Sequence, residues 1–174
     1  GYARAEGTES TTTQNLPLDK SYRIKTTEGV ASNNAYAAGI IVPDYGSSTS
    51  SYVEEIEEGG FRRIEALKGK VYIETYSDEY KLLSTKTIKY ELPKFGGYFK
   101  GKDARYIVYG QDNLDEDNTK EVVRVVKYDD DWNRIGQCSI TSKNVYKPFA
   151  QGPLRMTEND GILYIHTSRY IYWD

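Results

Sequence analysis

The sequence predicts an all-β fold, a partial β-propeller of about two and a half antiparallel blades after a disordered N-terminal segment. Three observations predict it. Short runs rich in Val, Ile, Thr and Tyr alternate with Gly, Asp and Asn punctuation. No stretch of about eleven residues carries a helical stripe. And a sixteen-residue phrase is written twice: GFRRIEALKGKVYIET from Gly60 and GPLRMTENDGILYIHT from Gly152. Within it Gly60, Arg63, Gly69, Tyr72, Ile73 and Thr75 recur without a gap as Gly152, Arg155, Gly161, Tyr164, Ile165 and Thr167.

Composition sets the outer limits. A chain of 174 residues is one domain, or one domain with a tail. It carries 17 Tyr against 4 Phe. Tyr packs its ring and keeps a wet hydroxyl, which suits half-buried strands and contact surfaces. Net charge is −3 and the pI is near 5.4, so the basic footprint of a nucleic-acid partner is missing. The longest apolar run, Ala35–Val42, is far shorter than a bilayer-spanning helix. One cysteine, Cys138, excludes an internal disulfide and suits either the cytosol or a secreted protein that does without disulfides. Ala3-Arg4-Ala5 has the small-residue pattern that ends a secretory signal, and the polar tract Ser10–Gln14 follows it. The expected location is secreted or cell-surface.

The elements follow in chain order. Residues 1–19 are small and polar without periodicity and read as a disordered tail. Residues 20–58 read as one strand, Ser21–Thr27, plus a loop-rich linker around the apolar segment Gly39–Val42. The charge run Glu54–Glu58 reads as a solvated approach to the first repeat. Residues 59–174 hold the repeats, as units 59–96, 97–151 and a truncated 152–174. Their predicted strands are Phe61–Leu67, Lys70–Tyr76, Leu82–Leu92, Tyr98–Lys100, Arg105–Tyr109, Glu121–Tyr128, Asn133–Ile140, Leu154–Thr157 and Ile162–His166.

A second phrase strengthens the repeat. YSDEYKLLSTKTI from Tyr76 matches YDDDWNRIGQCSI from Tyr128, with Tyr80 opposite Trp132. A diglycine followed by an aromatic occurs at Gly59-Gly60-Phe61 and Gly96-Gly97-Tyr98, and degrades to Gln151-Gly152-Pro153. It is expected where each chain segment enters an inner strand. Gly60 to Gly97 spans 37 positions (97 − 60) and Gly97 to Gly152 spans 55 (152 − 97). Units of about 40 to 50 residues built from short strands are the spacing of kelch or WD blades. In RYIVYG, Tyr106 and Val108 oppose Ile107 and Tyr109; in EVVRVVKY, Val122 and Val126 oppose Val123 and Val125. Both faces are apolar, so both require cover. A closed propeller needs at least four blades. A fragment of a longer protein, closure by oligomerisation and an open stack of sheets all fit what is present. The aromatic terminal repeat is expected to favour self-association.

The run from GGYFKGKDARYIVYGQDN through EVVRVVKYDDDWNRIG to GPLRMTENDGILYIHTSRYIY resembles uncharacterised secreted surface proteins of clostridial type. The resemblance covers roughly residues 59–174 and implies a kelch-like, galactose-oxidase-like propeller, with this chain an N-terminal fragment. It brings no functional residue with it. Copper-radical oxidase chemistry would need a Cys–Tyr pair and two His, and the chain has a single His.

Chemistry is sparse. There is no HExxH, CxxC, GxSxG or Walker loop, so no catalytic residue, metal or cofactor is assigned. The acidic clusters Asp112–Asp117 and Asp129–Asp131 lack the register of a calcium loop and read as solvated turns. Arg63 and Arg155 occupy equivalent repeat positions, Lys100 falls near the same place, and His166 is the lone histidine. These four are the candidate ligand-binding residues: Arg63, Lys100 and Arg155 as a basic arc that can grip a carboxylate or phosphate, and His166 as a channel-facing contact. The alternative is that the arginines pair with nearby Glu and seal the interior. The expected function is non-enzymatic binding of a glycan or surface protein. A catalytic propeller, hydrolase or lyase, with its site on further blades and a structural spacer remain the other two readings.

Overall fold

The computed structural model describes residues 50–141, 143–150 and 154–173. The tail 1–19, the strand Ser21–Thr27, the segment Gly39–Val42 and the degraded diglycine at 151–153 lie outside the described residues. The described part holds twelve strands and no helix: β1 (Ser51–Glu55), β2 (Phe61–Leu67), β3 (Lys70–Tyr76), β4 (Leu82–Lys89), β5 (Lys94–Lys100), β6 (Arg105–Gly110), β7 (Glu121–Tyr128), β8 (Arg134–Thr141), β9 (Val145–Pro148), β10 (Arg155–Asn159), β11 (Ile162–His166) and β12 (Arg169–Ile171). They form two four-stranded antiparallel meanders, β1-β2-β3-β4 and β5-β6-β7-β8, and two-stranded pairs β10-β11 and β9-β12. The all-β expectation holds, and no sheet closes on itself. Strands β2, β3, β7 and β11 match their predicted spans residue for residue.

The charge run is a correction. β1 enters it, and Tyr52 and Glu54 alternate inward while Ser51, Val53 and Glu55 face out. Glu54 is an inward-pointing strand residue rather than part of a solvated approach.

Both recurring phrases encode turns. Lys68 (φ 46°) and Gly69 (φ 81°) close β2 onto β3, and Asp160 (φ 50°) and Gly161 (φ 76°) close β10 onto β11. Two successive positive φ values make the primed two-residue hairpin whose twist matches the strands. The second phrase is a wider turn held by its first side chain. Asp129 Oδ1 accepts from the Asp131 and Asn133 amides at 2.9 and 2.8 Å. Ser77 Oγ accepts from the Glu79 and Lys81 amides, both at 3.2 Å. Tyr80 (φ 62°) and Trp132 (φ 66°) occupy the same left-handed position. The diglycines are not equivalent. Gly59 and Gly60 form the β1–β2 turn at φ 112° and 88°. Gly96 and Gly97 lie inside β5 at a register shift, where a Cβ on Gly96 would stand 2.6 Å from the Phe149 ring.

Packing stacks the sheets in three layers. Ile64, Val71 and Ile73 of the first sheet pack against Tyr98, Ile107, Tyr109 and Val126 of the middle sheet. The opposite face of the middle sheet, with Val108 and Val125, packs on Leu154, Met156, Leu163 and Ile165 of the third layer. The expected two-sided burial of β6 and β7 is present, with one change. A bulge between Glu121 and Val123 puts Val122 on the same side as Val123 and Val125.

The third layer is turned over relative to the repeat. Counting back from Tyr76 and Tyr128, the third strands of the two meanders align Val71 and Ile73 with Val123 and Val125, and the sixteen-residue phrase equates Val71 and Ile73 with Leu163 and Ile165. The first of these pairs faces forward onto the middle sheet, and the second faces forward onto the third layer. The third faces back onto the middle sheet. Composition explains it: this is the apolar face of the hairpin, while the other carries Arg155, Thr157, Tyr164 and His166. Tyr164 is therefore 51% exposed, whereas Tyr72 is half-buried between Glu65 and Thr87.

Gly60 and Gly69 separate two kinds of glycine. A Cβ at Gly60 would lie 2.1 Å from the Tyr76 carbonyl oxygen, while one at Gly69 meets open space. Gly60→Ala is expected to cost more than about 3 kcal/mol and Gly69→Ala about 1 kcal/mol, read by urea unfolding.

Candidate functional site

A groove of about 420 Å³ runs where β1, β5 and β10 converge, lined among others by Tyr52, Glu54, Tyr98, Lys100, Arg155 and Met156. Alternation along β1 and β5 supplies its floor. Tyr52 and Tyr98 meet edge to face with ring centroids 5.5 Å apart, and the Tyr98 amide donates to the Tyr52 hydroxyl at 3.3 Å.

Beneath the floor is a polar knot that ties the first sheet to the middle one. Arg62 Nη1 donates to Glu54 Oε1 at 2.9 Å, and Tyr98 Oη donates to Glu54 Oε2 at 2.8 Å. Arg105 Nη1 donates to Glu54 Oε1 and, at 2.6 Å, to the Tyr98 hydroxyl. Arg105 is 3% exposed and its guanidinium lies 4.8 Å from the Trp132 ring centroid. The Trp132 ring also stacks on Tyr98 at 5.6 Å. Burial pushes the Glu54 carboxyl up, but the hydrogen bonds from Arg62, Arg105 and Tyr98 outweigh it and hold the carboxyl below the usual range. Burial, and then the Glu54 charge, push the Tyr98 phenol up.

Of the four candidate residues, the structure brings three close together. Lys100, at the end of β5, and Arg155, at the start of β10, both line the groove and are exposed. His166 is the direct cross-strand neighbour of Arg155. Arg63 is placed otherwise: it lies opposite Val53 in the ladder, and its guanidinium donates to Glu65 at 2.9 Å. That is the pairing with a nearby Glu that the alternative reading expects. Sequence reasoning missed Tyr52, Glu54, Tyr98 and Arg105. The signal for Glu54 was its i, i+2 relation to Tyr52, masked by the acidic residues around it.

The acidic clusters serve local structure. Asp117 accepts from Thr119, and the buried Asn113 donates to the Asp117 and Val145 carbonyls, each at 2.9 Å. Among the described residues no group of three or more His, Cys, Asp or Glu is arranged to hold a metal. Among the described residues no helix is long and apolar enough to cross a membrane.

No family model, curated protein or solved structure matches this chain.

Glu54 gives a pH test. Its folded pKa is depressed, so its contribution is fully present above the unfolded value of about 4.3 and is lost as pH falls through the folded value. Glu54→Gln is expected to lose about 3 kcal/mol at pH 7, since it strands two arginines. Its stability should also fall less than wild type between about pH 5 and pH 2 in urea titrations.

Proposed function

We propose that this chain is a non-enzymatic binding module of a secreted or cell-surface protein, and that its groove takes an acidic glycan. One observation carries the reading. Lys100 and Arg155 line one groove, and neither has an ion-pair partner among the described residues. Arg62 and Arg105, close by, are matched to Glu54. Those two arginines share one carboxylate, so the groove is basic overall, and Lys100 and Arg155 are the cations in its lining that remain available to a carboxylate. Tyr98 and Met156 supply apolar surface beside them. A hydrolytic reading needs a second, titratable carboxylate, whereas Glu54 is ionised and held by three donors.

The same repeats support a partial β-propeller. Two four-stranded meanders with the same outer turn, packed on opposite faces of the repeat, are what successive blades require. The back-turned third layer is the part that departs from that progression. Self-association through the terminal repeat also fits, since Ile162, Tyr164 and Trp173 are 56%, 51% and 85% exposed.

Calorimetry with an oligouronate and a neutral oligosaccharide of equal length tests the site. The oligouronate should bind with an affinity that falls as salt rises, and the Lys100→Ala, Arg155→Ala double variant should lose roughly tenfold or more. Equal binding of both sugars, or an unchanged double variant, overturns the assignment. Sedimentation at rising concentration should show dimers that Tyr164→Lys and Trp173→Ser abolish; a monomer throughout removes self-association.

A further inference from the structure

We propose that the cleft between the middle sheet and the third layer is a second site, one that binds a small monocarboxylate with an apolar body of about six carbons. It does not rest on the groove reading, although Leu154 borders both. The cleft has a volume of about 150 Å³, and its wall is largely Val122, Val145, Leu154 and Ile165. Val122 and Val145 are 1% and 2% exposed, so these walls are fixed by the core rather than by surface side chains. A cleft of this size with mostly apolar walls accommodates a ring or chain of about six carbons, and burying that body removes apolar surface from water.

The polar part of the lining comes from one stretch of chain. Thr167, Ser168 and Arg169 join the lining where the chain passes from β11 into β12. Arg169 has no ion pair among the described residues, and its ladder partner Pro148 is itself part of the wall. A mostly apolar cleft with a cation in its lining discriminates by two features together. The apolar body must leave water, and the charged end must stay beside the guanidinium. A neutral ligand of the same length gains only the first. A short anion gains only the second, at an exposed arginine where screening leaves little.

Methyl NMR on the whole chain reads this directly, with hexanoate, hexan-1-ol and acetate as probes. Hexanoate should shift the Val122, Val145 and Ile165 methyls saturably. Arg169→Gln, an exposed substitution that leaves the walls intact, should weaken hexanoate roughly fivefold or more and leave hexan-1-ol unchanged. Val145→Leu, which adds one methylene inside the slot, should weaken both. The proposal is overturned if hexanoate shifts none of these methyls up to about 20 mM, if Arg169→Gln binds it as wild type does, or if acetate produces the same shifts.

Discussion

Glu54 is the residue on which the stacking of the first two layers depends. Its carboxylate takes Arg62 from its own sheet and Arg105 and Tyr98 from the next, so one buried charge joins two sheets whose facing surfaces are otherwise mostly apolar. Hydrophobic burial is non-directional, and two sheets pressed together by valines and isoleucines can slide. A carboxylate with fixed donors from both sides cannot follow a slip of one residue without leaving two arginines unpaired in a buried setting. The knot therefore selects a register. Its strength is borrowed from Trp132, whose ring covers the Arg105 guanidinium and stacks on Tyr98, keeping water away from the pair.

Trp132 reaches that place because of a turn rather than a strand. The Asp129 side chain holds the loop, the backbone at Trp132 goes left-handed, and the indole folds back over the sheet. The earlier copy of the turn does the same with smaller parts. Tyr80 lies 5.9 Å from Phe61, which itself stacks on Tyr76 at 4.8 Å. Phe61 faces Tyr76 across the ladder as Arg105 faces Tyr128. One position thus carries an apolar ring where no charge arrives from a neighbouring sheet, and an arginine where Glu54 does. The repeat conserves a geometry and exchanges the chemistry inside it.

The legible parts of the fold were those whose signal is local. Hairpin turns at Lys68-Gly69 and Asp160-Gly161 announce themselves by residue type, and β2, β3, β7 and β11 by alternation between such turns. β1, β9 and β12 were missed because three to five residues between polar loops leave too short a pattern. The diglycines misled because glycine answers two different demands: a left-handed turn at Gly59-Gly60 and clearance for Phe149 at Gly96. Of the candidate site, the repeat related Arg155 to Lys100 and Arg63; His166 joins Arg155 through hairpin pairing, whereas Arg63 is withdrawn by Glu65, an i, i+2 contact that strand geometry permits and position in the repeat does not reveal. Glu54 and Arg105, 51 positions apart, meet through packing between sheets, which no local pattern encodes.

The back-turned hairpin links fold to both clefts. Hairpin β10–β11 has one apolar face, and the middle sheet offers an apolar surface to receive it, so burial outweighs the direction the repeat would impose. Turned this way, the hairpin sends Met156 and Leu154 inward and leaves Arg155 on the outer rim beside Lys100, which makes the groove basic. The same turn sets Ile165 against Val122 and Val145, closing the apolar slot on its other side. Had the opposite face packed, Arg155 and His166 would lie against Val108 and Val125, burying a cation without a partner. The polarity of five residues in each strand thus decides at once where charge is presented and where water is excluded.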